Sequence, residues 1–199
     1  LDVGTTEGNI SLSDTVFSNN ESYRNTGAAY LLISGSTGII EVDSCDFSGN
    51  RTYGYEGGAL WVSNHGEGVL ITNSRFEDNM AETRGGGAYL SCENGFVLVQ
   101  NCLFANNSST SDGGGFYLSS DSYSPEKLTS ADIINNTITG NVVSGDNWAE
   151  EFMCAAETRI PSIPLLIILS GATVLMLVLI CISKTNVRSA VIRLIFPIT

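Results

Sequence analysis

Apolar and polar residues alternate along this chain in short runs, and each run leads into a recurring Phe-x-x-Asn unit. The positions seven and five residues before the unit are apolar in all five copies, whereas the residue between them varies. The first column holds Ile10, Ile40, Val69, Val97 and Ala131, and the second holds Leu12, Val42, Ile71, Val99 and Ile133. This period-two alternation predicts a short β-strand with one buried face in every copy.

The Phe-x-x-Asn unit itself recurs at a nearly constant spacing. Its copies are 17–20, 47–50, 76–79, 104–107 and the weaker 138–141. Successive copies start 30, 29, 28 and 34 residues apart, and each of the first four is followed by a glycine-led strand with a similar period. Two motifs in one register indicate internal repeats of about 29 residues.

A single repeat of this kind cannot bury its apolar face, but stacked repeats can. Each strand then pairs in parallel with its equivalent in the next coil, about 4.8 Å away, and the apolar columns merge into one core. The predicted fold over residues 1–141 is therefore an all-β, right-handed parallel β-helix of about five coils. We expect the last asparagine of each unit to turn a corner in the left-handed conformation and to join a hydrogen-bonded ladder. These residues are Asn20, Asn50, Asn79, Asn107 and Asn141.

The C-terminal part of the sequence contains a long apolar stretch in place of the repeats. Residues 165–182 are 18 residues without a charge, and 160–164 extend this apolar stretch. At 1.5 Å per residue it is long enough to cross a hydrocarbon core of about 30 Å. We predict a single transmembrane helix over 160–183. Because basic residues alone follow it, the positive-inside rule places the N-terminal part outside the membrane and the C-terminus in the cytoplasm.

The chain then divides into four parts. These are the extracellular β-helix (1–141), a cap and stalk (142–159), the transmembrane helix (160–183) and a short basic cytoplasmic tail (184–199). The first coil is open at Leu1, so we expect further coils to precede it in a longer protein.

Charge narrows the choice of partners. The formal net charge is −12, and all 21 acidic residues lie before Ile160. So acidic an outer part repels phosphate and uronate backbones, which argues against nucleic acid, anionic lipid and pectin. The expected partners are the membrane and a glycan or cell-surface protein, with no nucleic acid.

The paired units Phe-x-x-Asn and Gly-Gly-Ala-apolar, as at 47–50 and 57–60, resemble the repeats of the chlamydial polymorphic outer-membrane proteins. The resemblance covers residues 10–141, about two thirds of the chain. It implies a surface-exposed β-helix that serves adhesion or recognition.

Signals for catalysis are weak. His65, followed by Gly66, is similar to a His-Gly pair of pectin-hydrolysing β-helices, but the carboxylate cluster and basic residues of such enzymes do not accompany it. We interpret His65 as a turn residue. Glu77 and Asp78, with Glu82 nearby, are interpreted as solvated corner charge, because calcium needs oxygen ligands from several coils. We therefore predict no catalytic, cofactor-binding or metal site and no enzymatic activity.

Two cysteines share one repeat position. Cys45 and Cys102 each lie two residues before a Phe, two coils apart, with Ser74 between them. Their expected separation of about 9.6 Å from the strand spacing exceeds the limit of roughly 7 Å for a disulfide. We expect both to be free thiols in the wall.

An aromatic stripe is the predicted binding surface. One column after the glycine corner holds Tyr30, Leu60, Tyr89 and Tyr117, and the next holds Leu31, Trp61, Leu90 and Leu118. One of the two faces the core and the other faces outward, and the sequence leaves open which. An outward tyrosine stripe would stack on sugars or on protein.

Sequons for N-glycosylation suit an extracellular domain. They begin at Asn9, Asn20, Asn50, Asn106, Asn107 and Asn135.

The leading hypothesis is a membrane-anchored surface β-helix for adhesion or recognition. The alternatives are a fragment of a pectin-lyase-like carbohydrate-active enzyme whose active coils lie elsewhere, and a structural surface-coat element. A convergent Asp and Lys or Arg cluster on one strand face would favour the enzyme.

Overall fold

The computed structural model describes residues 1–24, 26–93, 95–119 and 130–145, together with the strands Phe152–Ala155, Val178–Cys181 and Ala190–Ile195. All regular elements in these residues are β-strands. In chain order they are β1 (Asp2–Thr5), β2 (Ile10–Ser13), β3 (Val16–Ser18), β4 (Glu21–Ser22), β5 (Ala29–Ile33), β6 (Ile39–Asp43), β7 (Asp46–Ser48), β8 (Arg51–Thr52), β9 (Leu60–Asn64), β10 (Gly68–Thr72), β11 (Arg75–Glu77), β12 (Met80–Ala81), β13 (Ala88–Cys92), β14 (Phe96–Gln100), β15 (Leu103–Ala105), β16 (Ser108–Ser109), β17 (Phe116–Ser119), β18 (Ser130–Ile134), β19 (Thr137–Thr139), β20 (Val142–Val143), β21 (Phe152–Ala155), β22 (Val178–Cys181) and β23 (Ala190–Ile195).

From β1 to β20 each coil contributes one strand to each of four sheets, and β21, β22 and β23 extend the first two sheets only. Sheet A has the order β1-β5-β9-β13-β17-β21, sheet B β2-β6-β10-β14-β18-β23-β22, sheet C β19-β15-β11-β7-β3 and sheet D β20-β16-β12-β8-β4. Strands in neighbouring coils pair in parallel, as β6 with β10 and β10 with β14. The chain therefore forms a parallel β-solenoid of about four turns, which confirms the predicted class of fold.

The core consists of the predicted apolar columns. Ile40, Val69 and Val97 are in register on sheet B and are buried. The Phe column is in register on sheet C, where the rings of Phe47 and Phe76 stack with centroids 4.8 Å apart. Neighbouring pairs above and below stack at 5.0 and 4.6 Å. One uninterrupted apolar interior thus runs through the coils, because equivalent positions lie directly above one another.

The asparagine ladder is present and fully hydrogen-bonded at its centre. The Asn79 amide accepts from the backbone N–H of Asn50 (2.9 Å) and from the Asn50 side chain (3.0 Å). It donates to the Phe47 carbonyl at 2.9 Å and to the Asn107 side chain at 2.9 Å. Asn50, Asn79 and Asn107 are wholly buried. Each amide therefore joins three coils, as the repeat predicted.

The corners themselves are turned by other residues. The residue before each ladder asparagine has a positive φ, as at Gly49 (63°) and Asp78 (56°). A second left-handed column precedes the Phe strand: Asp14, Ser44, Asn73, Asn101 and Asn135, with φ between 49° and 56°. The prediction that the ladder asparagines take this conformation is wrong. Their side chains point inward to bond the neighbouring coils, so the preceding residue makes the turn.

The C-terminal predictions are largely outside the described residues. Of the predicted transmembrane span only Val178–Cys181 is described, and there the structure has strand β22, antiparallel to β23, in place of a helix. Aliphatic and β-branched residues such as these suit a strand that joins a sheet. No helix among the described residues is both long and apolar enough for a membrane crossing. Within the predicted cap, β20 continues sheet D by pairing with β16.

We predict that Asn79→Ala lowers the free energy of unfolding by about 3 kcal/mol, because it leaves buried donors and an acceptor of the adjacent coils without partners. Asn20→Ala is the matched control. Asn20 is exposed and its side chain donates a single bond to Asn50, so we expect a loss of about 1 kcal/mol or less. Urea unfolding followed by circular dichroism measures both. Equal losses at the two positions would contradict a ladder that stabilises through burial.

Candidate functional site

The structure fixes which column on sheet A faces outward. The inward residues are Ala29, Leu60, Ala88 and Phe116, followed two positions on by Leu31, Val62, Leu90 and Leu118, and all are buried. The outward column between them is Tyr30, Trp61, Tyr89 and Tyr117, which we call the aromatic column.

The predicted column contained Leu60 instead of Trp61, and this register is wrong by one residue. The left-handed corner glycines that align are Gly57, Gly85 and Gly113, with φ of 69°, 66° and 61°. The predicted columns set Leu60 beside Tyr89, which corresponds to an alignment of Gly57 with Gly86. Runs of consecutive glycines do not show which glycine makes the turn, so only the backbone angle separates the two alignments.

The rings of the aromatic column stack on one another. Tyr30 and Trp61 have centroids 4.4 Å apart at an interplanar angle of 8°. The next two pairs lie 5.7 and 5.4 Å apart at 7° and 12°. Both faces of Trp61 and Tyr89 are therefore covered by neighbouring rings, whereas Tyr30 has a ring partner on one face only within the described part of the chain. The middle of the stripe offers no ring face for stacking on a ligand.

Loops from the corner between sheets D and A cover one end of the column. The Arg84 guanidinium lies 5.3 Å from the ring centroid of Tyr117. It pairs with Asp112 at 3.8 Å and with Glu56 at 4.0 Å. Burial raises the pKa of the Asp112 carboxyl, and the nearby Arg84 opposes that effect. Tyr89 and Tyr117 are only 6% and 4% exposed, so this end of the column is closed.

The other end of the column opens into a cleft of about 180 Å³, lined by Tyr30, Tyr55, Glu56 and Trp61. We call it the aromatic cleft. Tyr55 lies in the loop between β8 and β9, is 57% exposed and belongs to none of the stacked ring pairs among the described residues. More than half of the Tyr55 surface is therefore accessible to a ligand. Burial raises the pKa of Tyr30, and the carboxylate of Asp2, in register with it on β1, adds to this effect.

The other sequence-predicted residues do not converge with this cleft. The imidazole Nε2 of His65 lies 3.4 Å from Glu93 Oε1 in the next coil. Glu77 pairs with Arg75 on the same strand, and Asp78 occupies a left-handed corner. Within the described ranges, no group of three or more His, Cys, Asp or Glu residues is placed to hold a metal ion.

Cys45 and Cys102 are free thiols in the wall of the solenoid, as predicted. Each is 3% exposed, and each sulfhydryl faces a backbone carbonyl two residues earlier at 3.3 Å. Burial raises the pKa of Cys45 and raises that of Cys102 to about 12. Both sulfurs therefore stay protonated at neutral pH and are poor nucleophiles.

The fold buries some of the N-glycosylation sequons and exposes others. Asn50 and Asn107 are wholly buried in the ladder, so their amides are closed to a glycan. The side chains of Asn9, Asn106 and Asn135 are exposed.

Sequence reasoning missed Tyr55, Glu56, Arg84 and Asp112. These residues lie in the loops before the corner glycines, where the repeats differ in length and composition. Glu56, Arg84 and Asp112 recur at intervals of 28 residues, which is a signal in the sequence, and Arg84 and Asp112 do form a bridge between adjacent coils.

A model of the family described as "Right handed beta helix region" matches residues 5–151, well over half of the chain. Its hand agrees with the one expected from parallel crossovers. Neither a curated protein nor a solved structure matches the chain.

We predict that iodoacetamide labels Cys102 slowly in the folded chain at mildly alkaline pH and rapidly after unfolding in guanidinium. The raised pKa lowers the thiolate fraction, and burial blocks access. Peptide mass mapping measures the label at Cys45 and Cys102 separately. Equal labelling rates at Cys102 in folded and unfolded chains would contradict its buried position.

Proposed function

The chain belongs to the family of right-handed β-helix regions, and from that premise we propose that it recognises carbohydrate at a cell surface through its aromatic cleft. The observation that carries the proposal is the cleft itself, with Tyr55 exposed beside Tyr30, Glu56 and Trp61. A parallel solenoid presents side chains from successive coils as one lateral surface, which suits extended ligands.

The chemistry of the cleft suits a sugar. The free ring of Tyr55 offers an apolar face, and the edges of Tyr30 and Trp61 carry a hydroxyl and an indole N–H. The Glu56 carboxylate accepts hydrogen bonds from hydroxyl groups. A pyranose ring has the same combination, an apolar face with polar groups around its edge. One cleft therefore has a partner for each part of such a ring.

We propose recognition without catalysis. Glycoside hydrolysis needs one carboxyl group as acid and another as base or nucleophile on either side of the bond that breaks. Two carboxylates of the corner loops, Glu56 and Asp112, both pair with the same guanidinium, that of Arg84. Of the four residues that line the cleft, Glu56 alone carries a carboxyl group.

We also propose that residues 160–183 anchor the β-helix in a membrane with its N-terminal side outside. The support is the uncharged sequence of 165–182 and the basic residues that follow it. In this arrangement the acidic solenoid stands outside the cell, where exposed Asn9, Asn106 and Asn135 would be open to glycosylation.

For the ligand, we predict that the full chain in detergent binds selected neutral or amino glycans on an array and releases no reducing sugar from them. Tyr55→Ala should weaken binding about tenfold, since one aromatic contact is worth on the order of 1 kcal/mol. Phe96→Ala is the control, an exposed aromatic substitution on sheet B. Sugar release would overturn the non-catalytic proposal in favour of an enzyme. Absence of all glycan binding would favour a structural coat.

For the anchor, we predict that the expressed chain stays in the membrane pellet after alkaline carbonate extraction. Val174→Arg with Leu177→Arg should release it, because each arginine near a span centre costs about 3 kcal/mol of insertion. Ser189→Arg, in the predicted tail, should not. Extraction of the unaltered chain would contradict anchoring and favour β22 as a further strand of sheet B.

A further inference from the structure

Negative charge exceeds positive charge around the aromatic cleft. Glu56 lines the cleft with its side chain 25% exposed, so its carboxylate is partly withdrawn from water. Its nearest cation, Arg84, is 4.0 Å away and is shared with Asp112 at 3.8 Å. One guanidinium thus serves two carboxylates, and a net negative charge remains beside the cleft.

A further carboxylate lies next to Tyr30. Asp2 is the strand partner of Tyr30, so it continues the outward column one coil beyond the last aromatic ring. It is exposed, and its charge contributes to the raised pKa of Tyr30. The α-ammonium group of Leu1 donates to the carbonyl oxygen of Ala28 at 2.8 Å, where it faces the backbone. The cleft therefore has one acidic residue in its lining, Glu56, and a second, Asp2, beside Tyr30 in the adjacent coil.

From this arrangement we propose that the aromatic cleft selects a protonated amino sugar, with the sugar ring against Tyr55 and its ammonium group beside Glu56. The inference rests on the proposed recognition of carbohydrate and names the class of sugar. A cation near an aromatic ring face gains further attraction, and Tyr55 is 57% exposed at the cleft. The repulsion of uronates and sulfated sugars by a chain of net charge −12 works in the same direction.

The dimensions allow one sugar unit. A cleft of about 180 Å³ is smaller than the roughly 300 to 1,000 Å³ of pockets that enclose drug-sized ligands, so it accommodates on the order of one sugar unit of a glycan. Neighbouring sugars of a chain would then lie along the outer face of sheet A or its adjoining corner. Selection thus depends on the one sugar unit that occupies the cleft. A change in the chemistry of that sugar unit therefore tests the proposal directly.

Three β1,4-linked hexasaccharides of equal length supply the probes: a glucosamine, an N-acetylglucosamine and a glucose oligomer. At a mildly acidic pH the first is cationic and the others are neutral. We expect the full chain in detergent to bind the glucosamine oligomer about tenfold more tightly than either neutral oligomer, as calorimetry measures. The preference should shrink with added salt, because screening weakens the interaction of exposed charges.

Two isosteric variants distinguish the effect of the Glu56 charge on affinity from the effect of the net charge of the chain. Glu56→Gln should bring the affinity for the glucosamine oligomer down to that for the glucose oligomer. Glu41→Gln removes the same charge from an exposed position on β6 and should leave the preference unchanged. Urea midpoints establish that both variants are folded.

The outcomes distinguish the two proposals. Equal affinity for all three oligomers in the unaltered chain, or an undiminished preference in Glu56→Gln, overturns the selection of an amino sugar and leaves carbohydrate recognition standing. Absence of binding to these oligomers and to every glycan of the array overturns both. A preference that Glu41→Gln abolishes as fully as Glu56→Gln overturns the cleft as its source.

Discussion

In-register parallel pairing between successive coils is the constraint on which the rest of this structure depends. It places equivalent residues above one another in every sheet, so a residue type that suits one coil must also suit its own copy in the next. Phenylalanine meets that condition by stacking, with centroids 4.6 to 5.0 Å apart. Asparagine meets it because its amide both accepts and donates, and so a column of identical side chains satisfies itself.

The same pairing shapes the outer surface. Aromatic residues in one outward column are brought face to face, as Tyr30 and Trp61 are, and the paired faces are lost to ligands. Further exposed aromatic surface at the cleft comes from a residue outside the column, Tyr55. The loops at the corner between sheets D and A also supply the charges, through Glu56, Arg84 and Asp112. The regular part of the solenoid is thus the scaffold, and its irregular corner carries the chemistry.

Much of the scaffold was predictable from the sequence, because the inward columns depend on a strict spacing before each Phe-x-x-Asn unit. The strands, the ladder and the separate cysteines followed from that spacing. The turn residues did not, since several residue types tolerate a positive φ and Asp78 takes it as readily as Gly49. The candidate site was predicted only in part. Its aromatic column was recognised one residue out of register at Trp61. Glu56 shares its repeat position with Arg84 and Asp112, but the three residues differ in the sign of their charge, and Tyr55 has no aromatic counterpart at 83 and 111.

The direction of the hydrogen bonds between coils has a mechanical consequence. The amide ladder and the strand pairs all bridge one coil to the next, along the axis of the solenoid. Tension along that axis therefore loads every coil interface in series with the same force, so the solenoid separates first at its weakest interface. Adding coils lengthens such a solenoid without raising the axial force that it withstands.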